Sequence, residues 1–139
     1  MATLSPAMEL IIALSDAQGR VQKRIDAALS VHGISFTELT VLYHLGLAPG
    51  QMMRRIELAG AVGLSASGVT RLLVPMEKIG LVKREQNQRD TRVSLVKLTA
   101  AGGRILKDAM GSFAQRAIDV TEELNQTDIM RLLEMLKRF

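Results

Sequence analysis

Cysteine is absent from the 139 residues. That excludes disulfides, thiolate metal ligands and thiol redox chemistry in one step. Histidine is scarce: His32 and His44 are the two present, and neither stands at a spacing that pairs it with an acid. They read as a helix-end residue and a packed or surface residue, and no metal site is expected. No uninterrupted apolar run approaches the ~20 residues of a membrane span. The N-terminus has no basic patch leading into an apolar core and cleavage site, so no signal peptide is expected, and the default location is cytoplasmic. The glycine clusters "GAVG" and "AAGG" do not follow a strand in the manner of a phosphate-binding loop. An enzyme is therefore not expected, nor is a cofactor.

What is present describes a single globular domain, residues 1–139, with 47% hydrophobic and 23% charged residues. The net charge of +4 is unevenly placed. Residues 51–100 carry nine Lys or Arg against four acids, and the rest of the chain carries nine against ten. Such a central excess suits a polyanion partner, although a solvated basic face would look the same by charge alone.

Residues 5–32 read as a long amphipathic helix with Leu10, Leu14, Ala17, Val21, Ile25, Ala28 and His32 on one stripe and Gly33 as its cap. A stripe that long needs a second helix to cover it, and a second copy of the chain is expected to supply it. Thr37 to Leu47 forms the next helix, with Leu39, Leu42, Tyr43 and Leu45 on its apolar side, and "APGQ" breaks it. Ile56 to Val62 is a short helix ended by Gly63. Ser65 caps another from about Ala66 to Lys78, which buries Val69, Leu72, Leu73 and Met76 and stops at Gly80. Pro75 within it is expected to bend it beyond the first turns. "LVKRE" (81–85) and "VSLVKL" (93–98) are β-prone runs joined by a seven-residue polar tip. Thr99 caps a helix with Ile105, Leu106, Ala109, Phe113, Ala117 and Val120 on its face, and Thr127 is expected to cap a last short helix.

A short helix, a tight turn and a longer helix with a small polar leading edge is a helix-turn-helix pattern, and the hairpin beyond it makes a winged version. The fold class is mainly α with a small β-hairpin wing. A major groove about 12 Å wide accepts one helix, whose first turns reach the base edges. Ser67 and Gly68 are small enough for close approach. Ser65, Ser67 and Thr70 can bond phosphate or base, and Arg71 can grip a guanine bidentately or clamp a phosphate. At the hairpin tip, Arg89 and Arg92 suit the negative potential of a minor groove. Asp90 is a poor phosphate ligand. Two residues from Arg92, it is expected to pair with that guanidinium and fix its direction. Without DNA, the same residues would be an ordinary helical hairpin and an exposed turn.

The stretch "GLSASGVTRLLVPMEKIGLVKRE…RDTRVSLVKLTAAG" resembles the central region of the MarR family of bacterial regulators. The family's Asp-x-Arg wing and following Leu-Thr-x-x-Gly match at Asp90, Arg92, Leu98, Thr99 and Gly102, and the close match covers about 56–103. The resemblance implies a winged helix-turn-helix lobe at 34–98 and dimerisation helices at 5–32 and 99–139. It also implies a homodimeric repressor of a pseudopalindromic operator in double-stranded DNA. In many members a small aromatic or phenolic ligand, or oxidation, relieves repression; without cysteine, thiol oxidation is excluded here. The eight methionines read as flexible core filler, with some expected to line an adaptable cavity between the dimer helices and the lobe. The alternative is a winged-helix interaction protein that has lost DNA binding.

Overall fold

The structure, a computed structural model, describes residues 2–139. Helix α1 (Pro6–Leu29) begins at Ser5, whose hydroxyl accepts the Met8 N–H at 3.2 Å. A 3-10 turn, Ser30–His32, extends it to Gly33, whose φ of 73° ends the helix in the left-handed region glycine tolerates. Helix α2 (Phe36–Leu47) starts with a reciprocal cap between Ser35 and Glu38. Of its residues, Val41 is buried and Tyr43 is exposed, so the apolar face is rotated from the one expected.

A strand that sequence patterning does not signal follows: β1 (Met52–Arg54). Helices α3 (Arg55–Val62) and α4 (Ala66–Lys78) meet through Gly63, in left-handed conformation at φ 71°. Helix α4 continues unbroken through Pro75. Its buried face is Val69, Leu73 and Met76, with Leu72 half-buried. Strands β2 (Val82–Gln86) and β3 (Ser94–Leu98) form the hairpin, and β1 adds to the far side of β3, giving a three-stranded antiparallel sheet in the order β1-β3-β2. The tip is residues 87–93, one position later than the patterning suggests.

Helix α5 (Ala100–Val120) leaves the sheet through a tight junction. Thr99 Oγ1 lies 2.6 Å from the Gly80 carbonyl and 3.0 Å from that of Leu81, and accepts the Gly102 N–H at 2.9 Å. Gly102 is buried there because a Cβ would stand 2.1 Å from the Leu81 carbonyl oxygen. The end of α4, the start of β2 and the start of α5 are thus tied at one hydroxyl. Helix α6 (Gln126–Leu136) is capped by Asn125 and Asp128 acting reciprocally, not by Thr127 as expected: the Asn125 carboxamide reaches the Asp128 N–H at 2.8 Å, which leaves Thr127 inside the first turn.

One core joins α1 through α5 and the sheet, centred on Leu29, Leu42, Leu58, Leu73 and Val96. It does not reach the chain's ends. The first half of α1 exposes Met8, Leu10, Ile11 and Ile12, and no residue of α6 is buried. Among the described residues no single helix is long and apolar enough to cross a membrane.

Candidate nucleic-acid interface

With Val69, Leu73 and Met76 buried, helical periodicity turns Ser67 and Arg71 outward, four residues apart on one exposed face of α4. Ser65 caps the helix by accepting the Gly68 N–H at 3.0 Å, and its oxygen lies 3.2 Å from that of Ser67. Arg71 forms no ion pair among the described residues, so its guanidinium is available to an outside acceptor.

Two of the expected contact residues, Gly68 and Thr70, also have close partners within the protein. A Cβ on Gly68 would meet Ser65 Oγ at 3.1 Å and Leu64 Cβ at 3.6 Å. Its smallness therefore accommodates the turn between α3 and α4. Thr70 Oγ1 gives its proton to the Ala66 carbonyl at 3.0 Å and accepts from Arg55 Nη1 at 3.0 Å. A hydroxyl has one proton, so Thr70 has none left for a phosphate oxygen in this arrangement.

In the wing, Asn87 Oδ1 accepts the backbone N–H of Arg89 at 2.8 Å and of Asp90 at 3.3 Å, and Val93 N–H closes back on the Asp90 carbonyl at 3.1 Å. Asp90 Oδ1 accepts from both the backbone N–H and Nε of Arg92, each at 3.1 Å. The expected pairing of Asp90 with Arg92 is present in the geometry. The hydrogen bond from the Arg92 side chain, then that from its backbone, holds the Asp90 carboxyl below the usual carboxylate range, with the field of Arg54 adding to it. Arg92 stays 90% exposed. The carboxylate therefore sets the side chain's direction without covering it. Arg89 is also exposed and makes no ion pair among the described residues.

Three basic residues that patterning counted only as charge are tied to α3 and α4. Arg54, from β1, leans on Glu57 at 3.5 Å. Arg84, from β2, reaches Glu77 of α4 at 3.1 Å, and Arg55, largely buried, stands 3.7 Å from the same carboxylate. A doublet of arginines opening a short helix is the signal that could have singled out the first and last.

Away from this face, a cleft of about 410 Å³ opens between α2 and α5. It is lined by Phe36, Leu39, Thr40, Tyr43, His44, Met110 and Phe113. The Phe36 and Phe113 rings pack with centroids 5.4 Å apart. One methionine lines it, fewer than expected.

The sequence profile described as MarR family matches residues 32–93. The HTH-type transcriptional regulator MhqR of Bacillus subtilis (strain 168) is 26% identical over 135 residues, covering 95% of this chain and 90% of that protein. Among solved structures, a mutant MarR from E. coli complexed with operator DNA superposes with a TM-score of 0.87 at 22% identity, over 99% of this chain and 98% of that one. A MarR family transcriptional regulator from Streptomyces coelicolor, in complex with DNA, gives a TM-score of 0.85 at 20% identity, over 99% of this chain and 88% of that one. At these identities the structural likeness is one of fold.

Proposed function

We propose that the chain is a member of the MarR family of winged-helix regulators and, from that premise, that it is a sequence-specific, double-stranded-DNA-binding repressor that acts as a homodimer and has no catalytic role. The observation that carries this is the combination of an outward Ser67–Arg71 face on α4 with a wing whose Arg92 is aimed by Asp90 and left exposed. Helix α4 supplies base contacts in a major groove, and the wing cations lie against the neighbouring minor groove. Ser65, Ser67, Arg71, Arg89 and Arg92 are the contact residues; Gly68 and Thr70 support the helix, and Asp90 orients Arg92.

The homodimer rests on the apolar faces left open on α1 and α6. A second copy covers both, and twofold symmetry then presents two α4 helices to half-sites about one helical turn, ~34 Å, apart. This is the basis for a pseudopalindromic operator. The cleft between α2 and α5 supports relief by a small aromatic ligand, because its walls are two phenyl rings and aliphatic carbon, with Thr40, Tyr43 and His44 as the polar groups.

Fluorescence-anisotropy titration of mixed duplex DNA at low salt, followed by footprinting on DNA flanking the protein's own gene, tests the reading. Salt-dependent binding and a symmetric protected site are expected. Absence of DNA binding at low salt would place the chain among winged-helix interaction proteins instead.

A further inference from the structure

DNA contact alone does not account for Arg55. It opens α3 directly after β1, and its side chain is 21% exposed. Nη1 donates to Thr70 Oγ1 at 3.0 Å, and Nη2 stands 3.7 Å from Glu77 Oε1. That same carboxylate oxygen accepts from Arg84 Nε at 3.1 Å. The Nε and Nη2 atoms of Arg55 are buried with no hydrogen-bond partner.

For stability this is a poor arrangement. A guanidinium cannot shed its charge, and burying it with two nitrogens unsatisfied is costly. An apolar side chain of similar volume often serves a fold better than a buried ion pair. What an apolar residue cannot do is hold a geometry. Thr70 and Glu77 lie seven residues apart, which is two helical turns or about 10 Å along α4. One planar fork therefore spans two turns of α4, hydrogen-bonded to Thr70 beside Arg71 at one end and ion-paired with Glu77 at the other. Glu77 in turn ties the helix to the wing through Arg84 on β2.

We propose that Arg55 is a positioning residue of the DNA interface, setting the rotation of α4 and its placement against the wing through Thr70 and Glu77 without itself touching DNA. The proposal rests on the DNA-binding reading above. Pulling the Thr70 hydroxyl inward fixes the helical phase, and the adjacent Arg71 is aimed as a consequence.

The test uses the full-length protein, a duplex that the wild type selects from a random pool, and a scrambled duplex of equal composition. Arg55→Met keeps length and removes the fork. Its thermal midpoint should hold or rise, while affinity for the selected duplex should fall about tenfold. Affinity for the scrambled duplex and the salt slope should not change, since no phosphate contact is lost. Arg55→Lys keeps the charge without the fork and should behave like Arg55→Met. Thr70→Val keeps shape without the acceptor; it should reproduce the loss and add little to it in the double variant.

Wild-type specificity in Arg55→Met overturns the proposal. So does an equal loss on both duplexes with a slope shallower by about one, which marks a direct phosphate contact. Should Arg55→Met fail to fold, Thr70→Val decides, and intact specificity there is refuting. If the wild type selects no duplex at all, the DNA-binding reading falls first and takes this one with it.

Discussion

Gly102 and Gly103 are neighbours in the first turns of α5, and replacing each with alanine should move stability in opposite directions. A Cβ on Gly102 would stand 2.1 Å from the Leu81 carbonyl oxygen and 2.8 Å from Leu98 Cδ1. The backbone oxygen cannot retreat without breaking the Thr99 N–H bond it accepts at 3.2 Å. Overpacking of this kind costs about 3 kcal/mol, the upper end of the usual range. The helix returns about 1 kcal/mol of that, because alanine is the better helix former. The net loss is about 2 kcal/mol, or roughly 7 °C for a chain of this size. At Gly103 the nearest atom to a Cβ is Leu98 Cδ2 at 4.0 Å, an ordinary contact. Only the helical gain of about 1 kcal/mol remains, raising the midpoint by about 3 °C. Thermal unfolding by far-ultraviolet circular dichroism, at one fixed protein concentration because a dimer's midpoint depends on it, measures both. A Gly102→Ala protein melting at or above the wild type would refute the claim that the Leu81 backbone fills that space.

Arg71→Ala should weaken binding to a selected duplex more than to a scrambled one, by ~1–3 kcal/mol of discrimination; equal losses would make Arg71 a phosphate clamp. Arg92→Ala should lower affinity and make the salt slope shallower by about one. Asp90→Ala removes a negative charge beside DNA yet should also weaken binding, since Arg92 loses the acceptor that aims it; tighter binding would disprove the orienting role. Carboxyl-carbon NMR should place Asp90 below the ordinary carboxylate value of about 3.9. Because the folded-state value is the lowered one, the pair's contribution is complete above that ordinary value and is lost as pH falls through the lowered one. An Asp90 titrating at or above the ordinary value would contradict the pairing. Sedimentation at micromolar concentration should give a species of twice the chain mass, and a monomer alone would leave the apolar faces of α1 and α6 unexplained.

Helix termini and the wing were legible because their signals are local. Ser65 and Thr99 cap by reaching three residues along the chain, and Asp90 meets Arg92 two residues away. What escaped is set by contacts distant in sequence. β1 spans three residues, too few for a periodicity; it is a strand because β3 offers Leu95, Val96 and Lys97 as an unpaired edge. The facing of Val41 and Tyr43 depends on where α2 meets its neighbours, which the near-continuous apolar run from Val41 to Leu47 does not announce. Arg55 was counted as charge because its partner Thr70 lies fifteen residues on. Gly68 was legible as small, but its closeness to Leu64 and Ser65 across the turn was not. At the last helix the expectation fell on Thr127, two residues too late, because the reciprocal bond from the Asn125 N–H to the Asp128 carboxylate was not foreseen.

The brevity of β1 bears on how the molecule survives at high concentration. Any open sheet presents unpaired backbone groups along its outer strands, and these can recruit a strand from another chain. On this side the exposed rim is three residues, or ~10 Å, long. Gly50 and Gln51, at φ 66° and 55°, turn the chain out of extended geometry on one flank, and α3 begins at once on the other. Arg54 closes the strand with its side chain exposed, so an incoming strand would meet a positive charge after two hydrogen-bonding positions. On the opposite rim, β2 exposes Lys83 and Arg84. The same cations that suit a polyanion thus protect the sheet from growing into fibrils, and replacing them with neutral residues would expose the protein to self-association through its wing.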